Sequence, residues 1–306
     1  MRSRLYYTLK PLLPWGMRMG MRRMLARRTR QRSAAAWPID QSAATPPAGW
    51  TGWPEGRRFA FVLTHDVESA AGHDKSRQLA DLEAEMGFRS SFNFVPEGSY
   101  QVRPELRNWL AKNGFEVGIH DLQHDGKLFW SEEGFAEKAK RINYYVREWH
   151  ATGFRAGFML RNLDWYHQLD IAYDASTFDT DPFEPQPDGA RTIFPFWVPG
   201  PADHPGYVEL PYTLPQDSTL FLLLREKSPE IWLRKLDWVA QNGGMVLVNV
   251  HPDYLRFSGD RESASTFPAS FYRQLLDYVR TRYAGQYWQA LPRQVALFAK
   301  SARPGD

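Results

Sequence analysis

The sequence predicts an α/β chain built on a parallel sheet and rolled into an incomplete or distorted barrel. Two observations carry that expectation. From Arg58 onward, short and almost uninterrupted apolar runs alternate with amphipathic helical stretches, the pattern of strands buried on both faces. The runs number about seven, which suits a distorted barrel better than an open sheet, and a barrel can use a chain of 306 residues in one domain.

The elements follow in order. Phe59–Leu63 reads as a buried strand and Lys75–Met86 as a helix. Ser91–Val95 is a strand, and Pro104–Lys112 is a helix with proline in its first turn. Phe115–Ile119 is a strand, followed by a long helix over Glu132–Trp149. Phe154–Arg155 opens a short strand before a helix at Leu163–Leu169. Tyr173–Ser176 and Val208–Leu210 are weaker strands. Pro229–Gln241 is a helix that stops at Gly243-Gly244. Met245–Val250 is the clearest buried strand, and helices over Ser270–Tyr283 and Pro292–Ser301 close the chain.

Composition narrows the chemistry. Apolar residues make up 43% of the chain, enough for a large core. The chain has no cysteine, so a metal would have to sit on histidines and carboxylates. The net charge of +3 hides an asymmetry. Residues 1–32 hold 10 of the 38 Lys and Arg and no acid, leaving 28 basic residues against 35 acidic ones in the rest. That acidic body argues against nucleic acid as a partner.

Three organisational units are expected: a basic arm over 1–32, a Pro/Ala/Gly-rich linker or strap over 33–57, and a catalytic domain over 58–306. The arm is interrupted by Lys10, Pro11, Pro14, Arg18, Arg22 and Arg23, so it is too charged for a signal-peptide core or a membrane span. It reads either as a solvated tail or as an interfacial anchor. In the second reading Leu12, Leu13, Trp15, Met17, Met21, Met24 and Leu25 enter a bilayer surface while arginines meet anionic headgroups. The expected location is cytoplasmic, with peripheral contact at the inner membrane face.

Five constellations carry chemistry. Thr64-His65-Asp66-Val67-Glu68 leaves the first strand with two carboxylates, one able to hold a metal while the other acts as a base; helix capping is the plainer alternative. His120 and His124 are spaced i and i+4, which on one helical turn would let them share an ion. Two His and one carboxylate leave coordination positions open, as hydrolytic sites require. His251 ends the clearest strand and suits proton donation to a leaving amine, or is simply a satisfied loop histidine. Arg155 could pair with a rim carboxylate and lower its pKa. Asp174 could orient His251 or merely shape a turn. Trp130, Trp165 and Trp197, among 12 tryptophans, sit in loops where they could stack on sugars or pack in the core. Pro211–Asp217 follows a strand and could line the same rim.

Residues 58–257 resemble the polysaccharide deacetylases with a NodB-homology domain, carbohydrate esterase family 4. The run Gly114-Phe115-Glu116-Val117-Gly118-Ile119-His120 to His124 is similar to the family's G-x-E-[IV]-G-x-H-[ST]-x-x-H motif. Ser91–Pro96, Thr64–Glu68, Phe154-Arg155 and Val250-His251-Pro252 resemble its other motifs. The resemblance implies a distorted (β/α)7 barrel that removes N-acetyl groups from an amino-sugar glycan, and the arm adds the expectation of a lipid-linked sugar precursor as substrate. It implies a divalent ion, expected to be Zn²⁺, on Glu68, His120 and His124. It also implies Asp66 as base oriented by Arg155, and His251 as acid aligned by Asp174, with Asp179 or Asp181 as alternatives.

Three positions depart from the pattern. Val67 stands where the commoner motif has a second aspartate, which moves the ligand role to Glu68. Asp121 replaces Ser or Thr, and Gly157 replaces Pro. Two other readings keep the fold: hydrolysis of a small non-sugar amide, as in allantoinase-like relatives, and an inactive glycan-binding barrel.

Overall fold

The computed structural model describes residues 15–202 and 205–302, with side chains from residue 20 onward. Leu12 and Leu13 of the arm lie outside the described residues, as do the side chains of Trp15 and Met17. A first helix, α1, spans Trp15–Arg32. The barrel then begins with β1 (Phe59–Val67), α2 (Ala70–Glu85), β2 (Ser91–Phe94), α3 (Pro104–Lys112), β3 (Glu116–His120), α4 (Glu132–Glu148) and β4 (Gly153–Arg155). It continues with β5 (Tyr173–Asp174), β6 (Phe196–Val198), β7 (Tyr207–Glu209), α5 (Glu230–Gln241) and β8 (Met245–Asn249). A two-stranded ribbon follows, β9 (Leu255–Arg256) with β10 (Phe267–Pro268). The chain ends with α6 (Ala269–Arg282), β11 (Tyr287–Gln289) and α7 (Pro292–Ser301). Among the described residues, no helix is long and apolar enough to cross a membrane.

One sheet runs β8-β1-β2-β3-β4-β5-β7-β6, and only β6 is antiparallel to its neighbour. β11 joins the first residues of β1, beside Phe59–Phe61, and β2 joins its last ones. All nine residues of β1 are buried, as a strand with neighbours on both sides requires. Closure is irregular. The carbonyl of Leu247 on β8 accepts from the backbone N–H groups of Thr213 and Leu214, so a loop past β7 stands where a last ladder would run. This is the distorted parallel barrel that the apolar pattern predicted.

Several elements differ from expectation. α2 begins at Ala70, five residues before the expected Lys75, because its first turn is set by contacts instead of apolar periodicity. Gly72 packs against Asp253, where a Cβ would come within 2.1 Å of Oδ2. Residues 218–223, which carried no helical expectation, form a π-helix capped by Asp217. β6 and β11 were not anticipated. Each is only three half-buried residues, too short to show a period.

Residues 33–57 run across the end of the barrel where the strands begin. Trp53 donates its indole N–H to the Gly243 carbonyl at 2.8 Å, and Trp238 on α5 donates to Gln41 Oε1 at 3.0 Å. Trp50 and Trp53 pack edge to face at 4.8 Å, and Phe298 and Trp288 close around Trp53 at 5.6 and 6.0 Å. This aromatic plug seals the bottom of the barrel.

Candidate active site

The opposite end collects the ionisable residues. Side chains alternate along β1. Thr64 and Asp66 face the barrel interior, and Val67 joins the hydrophobic core. His65 faces outward, donating from Nδ1 to the Val250 carbonyl at 2.8 Å, with Nε2 2.7 Å from Glu83 on α2. Because β1 stays extended to Val67, the next residue on Asp66's side is Glu68. The i, i+2 spacing therefore has a geometric reason. An adjacent carboxylate at position 67 would enter the core.

Asp66 is buried among donors. Its Oδ1 accepts from Asn93 Nδ2 at 3.0 Å and Arg155 Nη1 at 3.2 Å, and its Oδ2 accepts from Asn249 Nδ2 at 2.7 Å. Arg155, at the end of β4, is wholly buried and also donates to Ala175 O, Thr64 Oγ1 and Asn249 Oδ1. Burial alone would raise the Asp66 pKa. The Arg155 charge, then His120 and His251, outweigh it and hold the carboxyl well below the usual range.

His120 closes β3. Its Nδ1 donates to the Arg155 carbonyl at 3.1 Å, which leaves the Nε2 lone pair facing the site. His124 reaches the same place by a bend and not by the expected helical turn. Asp121 and His124 both take left-handed backbone, at φ 57° and 53°. The two rings lie 4.9 Å apart, and Phe158 packs on His124 at 4.3 Å. Gly157 makes this packing possible. A Cβ there would stand 2.5 Å from Asp121 Oδ2 and 2.8 Å from His124 Cδ2, so a side chain at this position would have to push one of them aside.

Glu68 completes the group. Its Oε2 accepts from the Tyr254 hydroxyl at 2.6 Å, and its Oε1 lies 3.2 Å from His124 Nε2. Ligand atoms of Glu68, His120 and His124 all fall within 4.8 Å of one another. The His120 Nε2 is buried without a hydrogen-bond partner, while the buried His124 Nε2 faces only the Glu68 carboxylate. An orphaned imidazole lone pair and a second imidazole nitrogen converging on one carboxylate are what a divalent ion needs, so the residues fit one.

His251 follows β8, and its orienting partner corrects an expectation. Asp217 Oδ1 accepts from His251 Nδ1 at 2.6 Å, and Asp217 Oδ2 accepts from the His251 backbone N–H at 2.7 Å. Asp174 does not reach it. That carboxylate is buried on β5, accepting from the backbone N–H and the hydroxyl of Ser176 at 2.8 Å each, with its pKa raised to about 6 by burial. Nor do the alternatives reach it. Asp179 pairs with Lys235 at 2.8 Å, and Asp181 accepts from the Tyr212 hydroxyl. Burial would lower the His251 pKa. The Asp217 charge and hydrogen bond, then Glu68 and Asp66, instead push it up to about 10.

Asn93, Asn249, Asp217 and Tyr254 had been given no role from sequence. Asn93 stood inside a motif quoted above, and Asn249 inside the strand expected over Met245–Val250. Asp217 stood at the end of the rim segment, where an acid before Ser-Thr signals a helix cap.

A cleft of about 580 Å³ opens over this group, lined also by Arg22, Phe158, Met159, Phe183, Glu184, Gln216, Leu223 and Tyr254. None of the three tryptophans considered for sugar stacking lines it. Trp165, for example, packs inward on Phe135 at 5.6 Å. Phe158, Phe183 and Tyr254 supply the aromatic surface instead.

No protein-family model matches the sequence, and no curated relative matches it. Solved structures do match. A Mycobacterium smegmatis protein described as a polysaccharide deacetylase superposes with a TM-score of 0.64 at 19% identity, over 84% of this chain and 95% of that one. The chitin deacetylase of Colletotrichum lindemuthianum gives 0.49 at 12% identity, over 79% and 88%. The peptidoglycan deacetylase PdaC of Bacillus subtilis gives 0.48 at 13%, over 81% and 94%. The Mycobacterium smegmatis superposition gives this chain the NodB-like fold of a polysaccharide deacetylase.

Proposed function

We propose that this protein is a metal-dependent hydrolase that removes N-acetyl groups from amino sugars of a glycan or glycan precursor. One observation carries the reading. Two imidazole nitrogens, the one on His120 without a protein partner, converge with the Glu68 carboxylate between Asp66, whose carboxyl Arg155 holds ionised, and His251, whose charge Asp217 supports. Glu68, His120 and His124 would hold the ion, and their imidazole and carboxylate chemistry without thiolate suits zinc. A divalent ion supplies two things when bound: it lowers the pKa of a water and polarises an acyl oxygen.

The chain's own groups do the rest. Asp66 accepts the proton of the attacking water. Its low pKa makes it a weak base, so its contribution is constant ionisation and fixed position, set by Arg155, Asn93 and Asn249. His251 gives the proton on Nε2 to the departing nitrogen, and Asp217 keeps the imidazolium charged until then. Acetate and a free amine result. The test is acetate release from N-acetylglucosamine oligomers, with metal analysis of the purified protein. One ion per chain is expected, with activity lost to a chelator and restored by zinc. A chain that binds no ion and releases no acetate from any N-acetylated sugar would sink the reading.

A further inference from the structure

The arm helix does not behave as a solvated tail. α1 carries seven arginines and no acid, yet one of its faces is docked. Ala26 is buried, and the Arg23 guanidinium donates to the Leu222 carbonyl of the π-helix at 3.2 and 3.1 Å. Arg30 pairs with Glu226 at 2.6 Å. Positions 23, 26 and 30 share one helical face. Arg22, at the edge of that face, lines the cleft that contains Asp66, Glu68, His120, His124 and His251. It is the only lysine or arginine among the described lining residues, and among the described residues no hydrogen bond or ion pair engages it. The nearby Glu184 carboxyl feels its charge. Asp66, Glu68, Glu184 and Asp253 make the remaining lining acidic. Away from the metal group and His251, an anionic substituent on a substrate therefore finds its favourable place against Arg22.

The outward face of α1 says where that substituent resides. Met21, Met24 and Leu25 are 52%, 53% and 55% exposed, half of the large exposed hydrophobics in the described chain. Arg28 and Arg32 share their side of the helix. Clustered apolar side chains among arginines complement an anionic bilayer surface, where the chains insert at the headgroup boundary and the cations meet phosphates.

We propose that α1 is a membrane-facing wall of the cleft, with Arg22 binding the phosphate of a lipid-linked N-acetyl amino sugar. The proposal rests on the deacetylase reading for the sugar and on α1 alone for the phosphate and the bilayer. The test uses the full chain. It should co-sediment with vesicles containing phosphatidylglycerol and not with pure phosphatidylcholine, and the triple variant Met21→Asp, Met24→Asp, Leu25→Asp should lose that binding. Calorimetric titration with inorganic phosphate should show binding that Arg22→Glu abolishes and Arg22→Lys retains. On soluble substrates, the ratio of kcat/KM for N-acetylglucosamine 1-phosphate to that for N-acetylglucosamine should fall about 10-fold in Arg22→Glu. If the phosphate sugar is preferred but vesicles are ignored, the lipid source is overturned. If Arg22→Glu leaves phosphate binding and the substrate ratio intact, the subsite is overturned. Vesicle and phosphate binding need no turnover, so they decide the role of α1 even if neither sugar is deacetylated.

Discussion

The two ends of the barrel solve opposite problems. At the bottom, Trp50, Trp53, Trp288 and Phe298 pack ring against ring, and the Trp53 N–H finds a carbonyl. At the top, Asp66, Arg155 and His251 are buried with their charges, beside the imidazole of His120. Removing such groups from water costs several kcal/mol each unless geometry is near ideal. Here Asp66 has three donors, and Arg155 has acceptors on Nε and Nη1. The apolar end offsets what the polar end costs, so damage to the two ends should separate activity from stability.

The largest effect expected is at the top. Asp66→Asn and His251→Ala should each lower kcat by about 10²–10⁴-fold, the usual contribution of a positioned acid or base. Each purified variant should still bind one metal ion, because neither residue is among the three ligands. Near-normal acetate release from both would remove the assigned roles.

Trp53→Ala should do the reverse. It deletes a buried indole from the plug and should destabilise the fold by about 3–5 kcal/mol, read as a lower urea midpoint. Its kcat should stay near that of the parent at temperatures where the fold persists. A large fall in kcat without a change in midpoint would show that the plug shapes the rim and would break the comparison.

How far this division was legible in the sequence depends on what each element looks like locally. Most of β8 and the first five residues of β1 are apolar runs, β3 lies inside the quoted histidine motif, and α3 and α7 begin at prolines, so their positions could be read directly. The strap could be marked as Pro- and Gly-rich, but its indole contacts join residues about 190 and 240 apart and leave no local pattern. At the top, the spacing of His120 and His124 was visible, while the reason for their meeting was not. It depends on left-handed backbone at Asp121 and His124 and on open space at Gly157. Asp217 was missed because it lies 34 residues before His251 and is brought to it by a π-helix cap. Asp174 was favoured because it sits on a strand, yet the strand points its carboxylate at Ser176.

Metal removal, which should abolish activity, should cost the fold less stability than Trp53→Ala. An ion bound only by the folded chain stabilises it by about 2.7 kcal/mol when free ion is about 100 times Kd. Chelation should therefore lower Tm, with zinc restoring it saturably. His124→Ala should abolish the zinc-dependent rise. Gly157→Ala should weaken zinc binding about 10-fold, through displaced packing on Asp121 and His124. An undiminished affinity in Gly157→Ala would mean that this bend can yield.

The finest test concerns His251 and its pH range. A proton donor must be protonated, so its contribution is lost as pH rises through its pKa. In the native chain Asp217 holds the imidazole up to about 10, against an ordinary value of 6.5. A cation on Glu68 would oppose this, so the alkaline limb of kcat should lie between those values. Asp217→Asn keeps the shape and an acceptor for Nδ1–H but removes the charge. Burial then acts with less opposition, and the limb should move down by about one unit or more, since one unit corresponds to about 1.4 kcal/mol of lost charge stabilisation. Activity at the acid side of the profile should fall least. The pH dependence of Trp53→Ala should match that of the parent, because the plug holds no group that titrates there. A profile for Asp217→Asn that is lowered evenly at all pH values would make Asp217 a cap for the π-helix and nothing more.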